Sequence, residues 1–327
     1  MVGRRTVNKS GLAMLKTLAC ITAVSFFTLY QSYDSYHYDI NLTLNVLSFV
    51  STIATPLYFL LSGYIDAGEL HTPAWQLGKI RRILLIFIFW FSFFWFAGMH
   101  HKGYLIQPWF VIALIVIYVS HPLIDRLIQR PGLMASGILL LLVLAFAYDL
   151  LASLYPGQRA FSLLPQYRIW TWVLYYLTGR LMAAPRVMQL LTSPRVIKIS
   201  LLLLPAVYLF TWLYERHYFL ARFLATHNDV VLTGSQVYLL VVLIVISINA
   251  IRLPEKVQWL TPFLTTLGKT MTGVYILHYL IFGLLAAAIR IQTLGDKLLV
   301  IALTLIFSMA LSLLLLRIPG VSKLISL

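Results

Sequence analysis

The sequence predicts an all-α fold: a polytopic membrane helix bundle of about ten transmembrane helices with both termini in the cytoplasm. Three observations predict it. Of 327 residues, 61% are hydrophobic and 11% charged, with a mean hydropathy of +0.87; a soluble domain is about half apolar and a quarter charged. The apolar residues fall in continuous runs of about 20, the length a helix needs to cross a bilayer. Outer-membrane strands would be about 10 residues long and alternate in polarity. The third observation is the placement of the basic residues.

The runs lie at about 12–30, 44–65, 83–98, 107–124, 133–154, 169–185, 199–215, 234–251, 270–289 and 298–316. The first, "LAMLKTLACITAVSFFTLY", is longer than the apolar core of a signal peptide and is followed by further spans. It therefore reads as a helix that stays in the membrane. The second carries Pro56 in mid-span, which removes a backbone hydrogen bond and bends the helix, with Ser62 and Gly63 near its inner end. Gly63 permits close helix approach, and the irregular backbone suggests a helix that lines a cavity. The third and sixth runs are short or interrupted.

With the N-terminus inside, the cytoplasmic segments hold Arg4, Arg5, Lys9, Lys16, Lys79, Arg81, Arg82, Arg126, Arg130, Arg180, Arg186, Arg195, Lys198, Arg252, Lys256, Lys269, Arg317 and Lys323. These are 18 of the 25 Lys and Arg residues. Lys102, Arg159, Arg168, Arg216, Arg222, Arg290 and Lys297 fall on the other side. Positive charge concentrates on cytoplasmic loops, so both termini are expected inside. The net charge of +15 then belongs to the loops and to the lipid bilayer they face. A nucleic-acid partner is excluded, because the bases form short clusters between apolar runs rather than one exposed stripe. The single cysteine, Cys20, lies within an apolar run and reads as a packing residue; it rules out a disulfide framework or a cysteine-rich metal site. With no connection longer than about twenty residues, residues 1–327 read as a single membrane-embedded domain.

Ionisable groups within spans are costly and usually face the bundle interior or water. His278, in "GVYILHYLIF", has apolar neighbours on both sides; it is either an imidazole bonded between helices or a group that handles substrate or protons. Asp149 lies nearer the outer end of its span, where it could reach water, while Arg180 and His121 lie near the inner face, where Arg180 could snorkel. "KIRR", residues 79–82, is either an orientation signal for anionic headgroups or a phosphate cradle. The outer "SYDSYHYDINLTL" is rich in Tyr, Asp and His, as an interfacial aromatic belt would be, and its "NLT" fits a glycosylation sequon. A Walker lysine loop, a paired His–Glu zinc motif and a Gly-x-Ser-x-Gly elbow are all absent.

Four stretches in order, "PLYFLLSGYI", "KIRRILLIFIFW", "WFVIALIVIYVSHPLI" with Trp109, Tyr118 and Pro122, and "LGKTMTGVYILHYLIF" with Tyr275 and His278, resemble the acyltransferase-3 family of bacterial inner-membrane proteins. Within it the chain is most similar to the enterobacterial common antigen O-acetyltransferase type. The resemblance implies transfer of an acyl group, usually acetyl, onto a hydroxyl of an envelope glycan or lipid-linked sugar. Acetyl-CoA or another acyl-CoA would serve as cytoplasmic co-substrate, with no bound cofactor and no metal. It assigns Arg81 and Arg82 to the acyl donor and His278 to catalysis, and sets Phe27, Pro56, Ser62, Gly63, Trp109 and Tyr275 along the cavity.

The first span departs from the family, which carries there an arginine and, beyond ten intervening residues, a histidine expected to act as base. Here those positions hold Lys16 and Phe27, and residues 1–36 contain no histidine. Phenylalanine cannot take a proton, and lysine lacks the planar fork of arginine. Two further departures are milder: a proline often found after the basic cluster is missing around Leu85–Phe87, and Met271 replaces a small polar residue. Three readings follow: an O-acyltransferase whose base has moved, with His278 the first choice and His37 a poorer one; an impaired relative that binds or helps translocate an envelope glycan precursor; or a small secondary transporter. Transport would call for matching helix breaks in two halves of the chain, and the sequence shows no such symmetry.

Overall fold

The computed structural model describes residues 9–31, 49–98, 108–155, 163, 167–214, 234–251 and 255–326. Among them are thirteen α-helices: α1 (Lys9–Gln31), α2 (Ala54–Asp66), α3 (Pro73–Phe96), α4 (Pro108–Val119), α5 (His121–Ile128), α6 (Pro131–Leu154) and α7 (Ile169–Met182), followed by α8 (Pro185–Leu191), α9 (Pro194–Tyr214), α10 (Tyr238–Asn249), α11 (Leu260–Lys269), α12 (Met271–Ala288) and α13 (Leu294–Leu316). Each of the ten apolar runs falls on one or two of these helices. Among the described residues five helices are long and apolar enough to cross a bilayer, and a sixth span results if the bent pair α4–α5 is counted as one. The protein is an all-α, polytopic helical membrane protein. His37, the outer Tyr/Asp/His segment with its sequon, and Arg4 and Arg5 lie outside the described residues.

Local chemistry explains where the helices depart from the apolar runs. The third run was expected to start at 83, yet α3 begins ten residues earlier. Thr72 caps it by accepting from the Trp75 N–H at 3.1 Å, and Pro73, which has no N–H to lose, takes the first helical position. The basic cluster therefore lies on helix rather than in a loop. The fourth run bends by 57° between α4 and α5. Pro122 cannot donate to the carbonyl four residues back, that of Tyr118, and its ring crowds it. The freed Tyr118 carbonyl is taken by Gln76 Nε2 of α3 at 3.2 Å. In the second run the helix is interrupted at Thr52–Ile53 and restarts at Ala54, so Pro56 sits in the first turn of α2, where its missing N–H costs little.

The core forms where α1, α2, α4, α7 and α10 meet, around Leu57, Phe59, Leu60, Ile117, Trp172, Tyr175 and Val241. A second apolar cluster joins α1, α3, α12 and α13 through Phe27, Trp90, Phe94, Leu277, Phe282 and Val300. The tightest pair is α2 with α7, where two glycines face each other's backbones. A β-carbon on Gly63 would stand 2.1 Å from the Tyr176 carbonyl oxygen, and one on Gly179 would stand 1.9 Å from that of Leu60. At the periphery, α6 and α9 leave Leu139, Leu140, Leu144, Leu202 and Phe210 exposed, as suits helices solvated by lipid.

One expectation is overturned at the end of the bundle where α6 finishes. Asp149 does not reach water: it is buried, pairs with the Arg168 guanidinium, and accepts from the Ser235 hydroxyl and, at 3.1 Å, the Ser235 N–H. Arg168 also lies over the Tyr148 ring at 4.9 Å. A buried carboxylate needs such partners, and here they tie α6 to the start of α7 and to the turn entering α10. Asp149→Ala leaves Arg168 charged and buried and is expected to cost about 3–5 kcal/mol. Thermal unfolding in detergent checks this, and an unchanged midpoint would refute the burial of the pair.

Candidate active site

Two polar regions stand out against the apolar interior. The first lies in the bundle, between α1, α2 and α12. Lys16 and Phe27 on α1 are eleven residues apart, close to three full turns, so they share a face. The Lys16 stem passes close to Gly268, where an added β-carbon would stand 3.3 Å from its Cδ. Phe27 is buried, and its ring meets the His278 imidazole edge-on at 5.0 Å, with Tyr279 and Phe282 also at 5.3 Å. The position expected to hold the first-span histidine is thus in direct contact with the ninth-span one.

His278 Nδ1 lies 2.8 Å from the Val274 carbonyl one turn back. A carbonyl only accepts, so Nδ1 carries the proton and the lone pair resides on Nε2. One turn before His278, the Tyr275 hydroxyl donates to the Ala54 carbonyl of α2 at 2.8 Å, and its ring lies 4.9 Å from that of Tyr58. The face of α12 carrying Thr272, Tyr275 and His278 is turned toward α1 and α2 yet stays half-accessible. Ser62, also half-accessible, bonds back to the Tyr58 carbonyl at 2.9 Å. Trp109 is buried against Phe110 and Trp172.

The second region lies where α2 and α4 end and α3 begins. Tyr58, Ser62 and Asp66 follow one another at four-residue spacing and form a polar stripe along α2 from the first region to the second. Asp66 is buried and fully engaged: Lys79 Nζ bonds one carboxylate oxygen at 3.1 Å, and the hydroxyls of Tyr118 and Tyr176 both donate to the other at 2.9 Å. His121 Nε2 meets the Tyr176 hydroxyl at 2.7 Å. His71, in the turn between α2 and α3, has Nε2 at 2.7 Å from the Asp66 carbonyl and Nδ1 at 2.9 Å from Asp125 of α5. Arg180 of α7 donates to the same Asp125 oxygen at 2.8 Å, and the Trp75 ring packs on both imidazoles at 4.6 and 4.8 Å. Two carboxylates and two obligate cations are therefore held within one water-poor cluster, each charge compensated by the other sign.

Arg180, near enough to the inner face to snorkel, is instead buried on Asp125, because turning inward gives it a carboxylate partner. The members of "KIRR" separate. Lys79 turns into the cluster, Arg81 is exposed, and Arg82 donates to the Ser326 hydroxyl at 2.8 Å while its Nε has no partner. Sequence reasoning passed over His71, Asp66, Asp125 and Tyr176. Two signals were present: an acid closing the apolar run of α2, and His121 with Asp125 at helical i, i+4 spacing.

Comparison with protein families matches residues 10–317 to the acyltransferase domain family, Acyl_transf_3. Comparison with curated proteins and with solved structures finds no match. The family match spans nearly the whole helical bundle, including the two polar regions just described. Its activity, transfer of acyl groups other than amino-acyl groups, is the activity of this membrane protein, and the chain belongs to the acyltransferase-3 family.

Proposed function

We propose that the protein is an O-acyltransferase of the bacterial inner membrane, with ten spans and both termini in the cytoplasm. It moves an acetyl or related acyl group from a coenzyme A thioester to a hydroxyl of an envelope polysaccharide or glycolipid. The observation that carries this reading is the contact between Phe27 and His278. The base missing from the first span has a neighbour one ring away, held by the Val274 carbonyl in the tautomer whose Nε2 can accept a proton. In the reaction, Nε2 takes the proton of the acceptor hydroxyl as that oxygen attacks the thioester carbonyl. The tetrahedral adduct then collapses, the C–S bond breaks, and coenzyme A leaves as a thiolate that recovers the proton.

In this orientation the Asp66 cluster and α3 face the cytoplasm, where the donor is found. Arg82 supports a donor role, since its Nε keeps a free N–H for a phosphate oxygen, while exposed Arg81 can meet another. Ser62 and Tyr58 line the way from that end toward His278.

The test uses purified protein, labelled acetyl-CoA and a panel of envelope glycans. The native chain is expected to transfer label, and Phe27→His with Lys16→Arg is expected to raise the rate by restoring the family pair. If neither protein transfers label to any glycan while both stay monodisperse, the proposal fails. The reading of an impaired relative that binds or helps translocate a glycan precursor then takes its place.

A further inference from the structure

We propose that His71, His121 and Asp125 form a binding site for a divalent transition metal of the zinc class. The inference is independent of the acyl-transfer reading and rests on which nitrogen of each imidazole carries its proton. The Tyr118 and Tyr176 hydroxyls each spend their single proton on Asp66. The Tyr176 oxygen can then only accept from His121, so His121 carries its proton on Nε2 and a lone pair on Nδ1. That Nδ1 is buried and has no hydrogen-bond partner.

His71 is likewise fixed through its Nε2. Its Nε2 faces the Asp66 carbonyl at 2.7 Å, which only accepts, so Nε2 keeps its proton, and Nδ1 is the nitrogen turned to Asp125 at 2.9 Å and the one free to become a ligand by giving up its proton. Without a metal, a proton on Nδ1 and the Arg180 guanidinium, 3.5 Å from that nitrogen and 2.8 Å from the Asp125 oxygen, hold this contact; a metal ion takes the proton's place. The His121 Nδ1 lies 3.9 Å from the same Asp125 oxygen, and the three donor atoms are all within 4.8 Å of one another. Zinc holds imidazole and carboxylate ligands at about 2.0–2.2 Å, which sets tetrahedral donors about 3.3 Å apart. Small side-chain rotations close the difference.

The surroundings match what metal-bound histidines require. Each Nε2–H is fixed by an outer acceptor, the Asp66 carbonyl for His71 and the Tyr176–Asp66 pair for His121, which sets the tautomer and the ring orientation. Asp125 is partly open to solvent, leaving an entry path and a fourth position for water. Arg180 shares the Asp125 oxygen at 2.8 Å. The metal displaces the guanidinium from that oxygen, and the other carboxylate oxygen receives it. Two imidazoles and one carboxylate suit zinc and its first-row neighbours rather than magnesium or calcium, which prefer oxygen ligands.

The experiment uses the full chain in detergent, stripped with a chelator and titrated with Zn²⁺ and, as a spectroscopic probe, Co²⁺. One equivalent is expected to bind, with the ligand-field absorption of four- or five-coordinate Co²⁺. Asp125→Asn and His121→Gln should abolish uptake, Tyr176→Phe should weaken it about 10–100-fold by removing an outer partner, and His278→Gln should leave it unchanged. A second readout guards against variants that misfold. In the native chain, Zn²⁺ should raise the thermal unfolding midpoint, and excess chelator should reverse the rise. Native protein that binds neither ion, uptake that survives Asp125→Asn, or an unfolding midpoint indifferent to Zn²⁺ would overturn the proposal.

Discussion

His278→Gln is expected to reduce acyl transfer by about 10²–10⁴-fold, the usual contribution of a positioned general base, with little change in the amount of folded protein. Glutamine keeps a polar group of similar reach on α12, but it cannot exchange a proton near neutral pH. His278 is half-buried beside Phe27, and it hydrogen-bonds to the backbone of its own helix, with Nδ1 2.8 Å from the Val274 carbonyl. Losing that bond frees a carbonyl already engaged in the helix ladder, so the structural cost stays small. Initial rates with labelled acetyl-CoA are the readout, compared at equal monodisperse protein. The triple variant Lys16→Arg, Phe27→His, His278→Gln sharpens the comparison, since a restored first-span base should recover part of the lost rate. If His278→Gln alone transfers at the native rate, the proton goes elsewhere.

A large loss of stability is expected from Gly179→Ala. A single methyl group there would sit 1.9 Å from the Leu60 carbonyl oxygen and 2.9 Å from the Tyr64 nitrogen. Both are backbone atoms, so no rotamer change relieves the overlap, and α2 must move away from α7. That interface holds Gly63 against Tyr176 in the reciprocal contact and carries Asp66, Tyr176 and Arg180 of the polar cluster. Overpacking usually costs about 1–3 kcal/mol, and a clash between two backbones belongs at or beyond the top of that range. Gly137→Ala on α6 is the control, because nothing lies within 4 Å of its added β-carbon. It should be neutral or gain up to about 1 kcal/mol of helix propensity. Thermal unfolding of both variants in detergent decides: equal midpoints would show that α2 and α7 do not meet as described.

How far the site could be read in advance depends on what each residue answers to. The apolar runs carried their helices with them, because a backbone in lipid must satisfy its own hydrogen bonds and an apolar segment of sufficient length does so as a helix. His278 was visible for the same reason, as a titratable group where none should be free. The start of α3 was legible only in its capping residues, Thr72 and Pro73, which the hydropathy of the run does not register. Asp149 and Arg180 were placed near water because each sits toward the end of a span. Both are buried instead, since burial depends on whether another helix brings an opposite charge, here Arg168 and Asp125.

The sequence by itself determined the membrane environment, the helical class and the family-like order of motifs, all of which follow from composition and local pattern. It also determined the loss of the first-span histidine, since Phe27 cannot titrate in any environment. Only the tertiary structure decided that Phe27 touches His278, and that His71, Asp66, Lys79, His121, Asp125, Tyr176 and Arg180 meet in one cluster. These groups come from four helices and one turn, and no spacing along the chain relates them. Their meeting is set by the close approach of α2 and α7 and by the bend at Pro122, which turns His121 and Asp125 into the same volume. Charges buried together must be matched in three dimensions, and a one-dimensional pattern does not record which neighbour supplies the match.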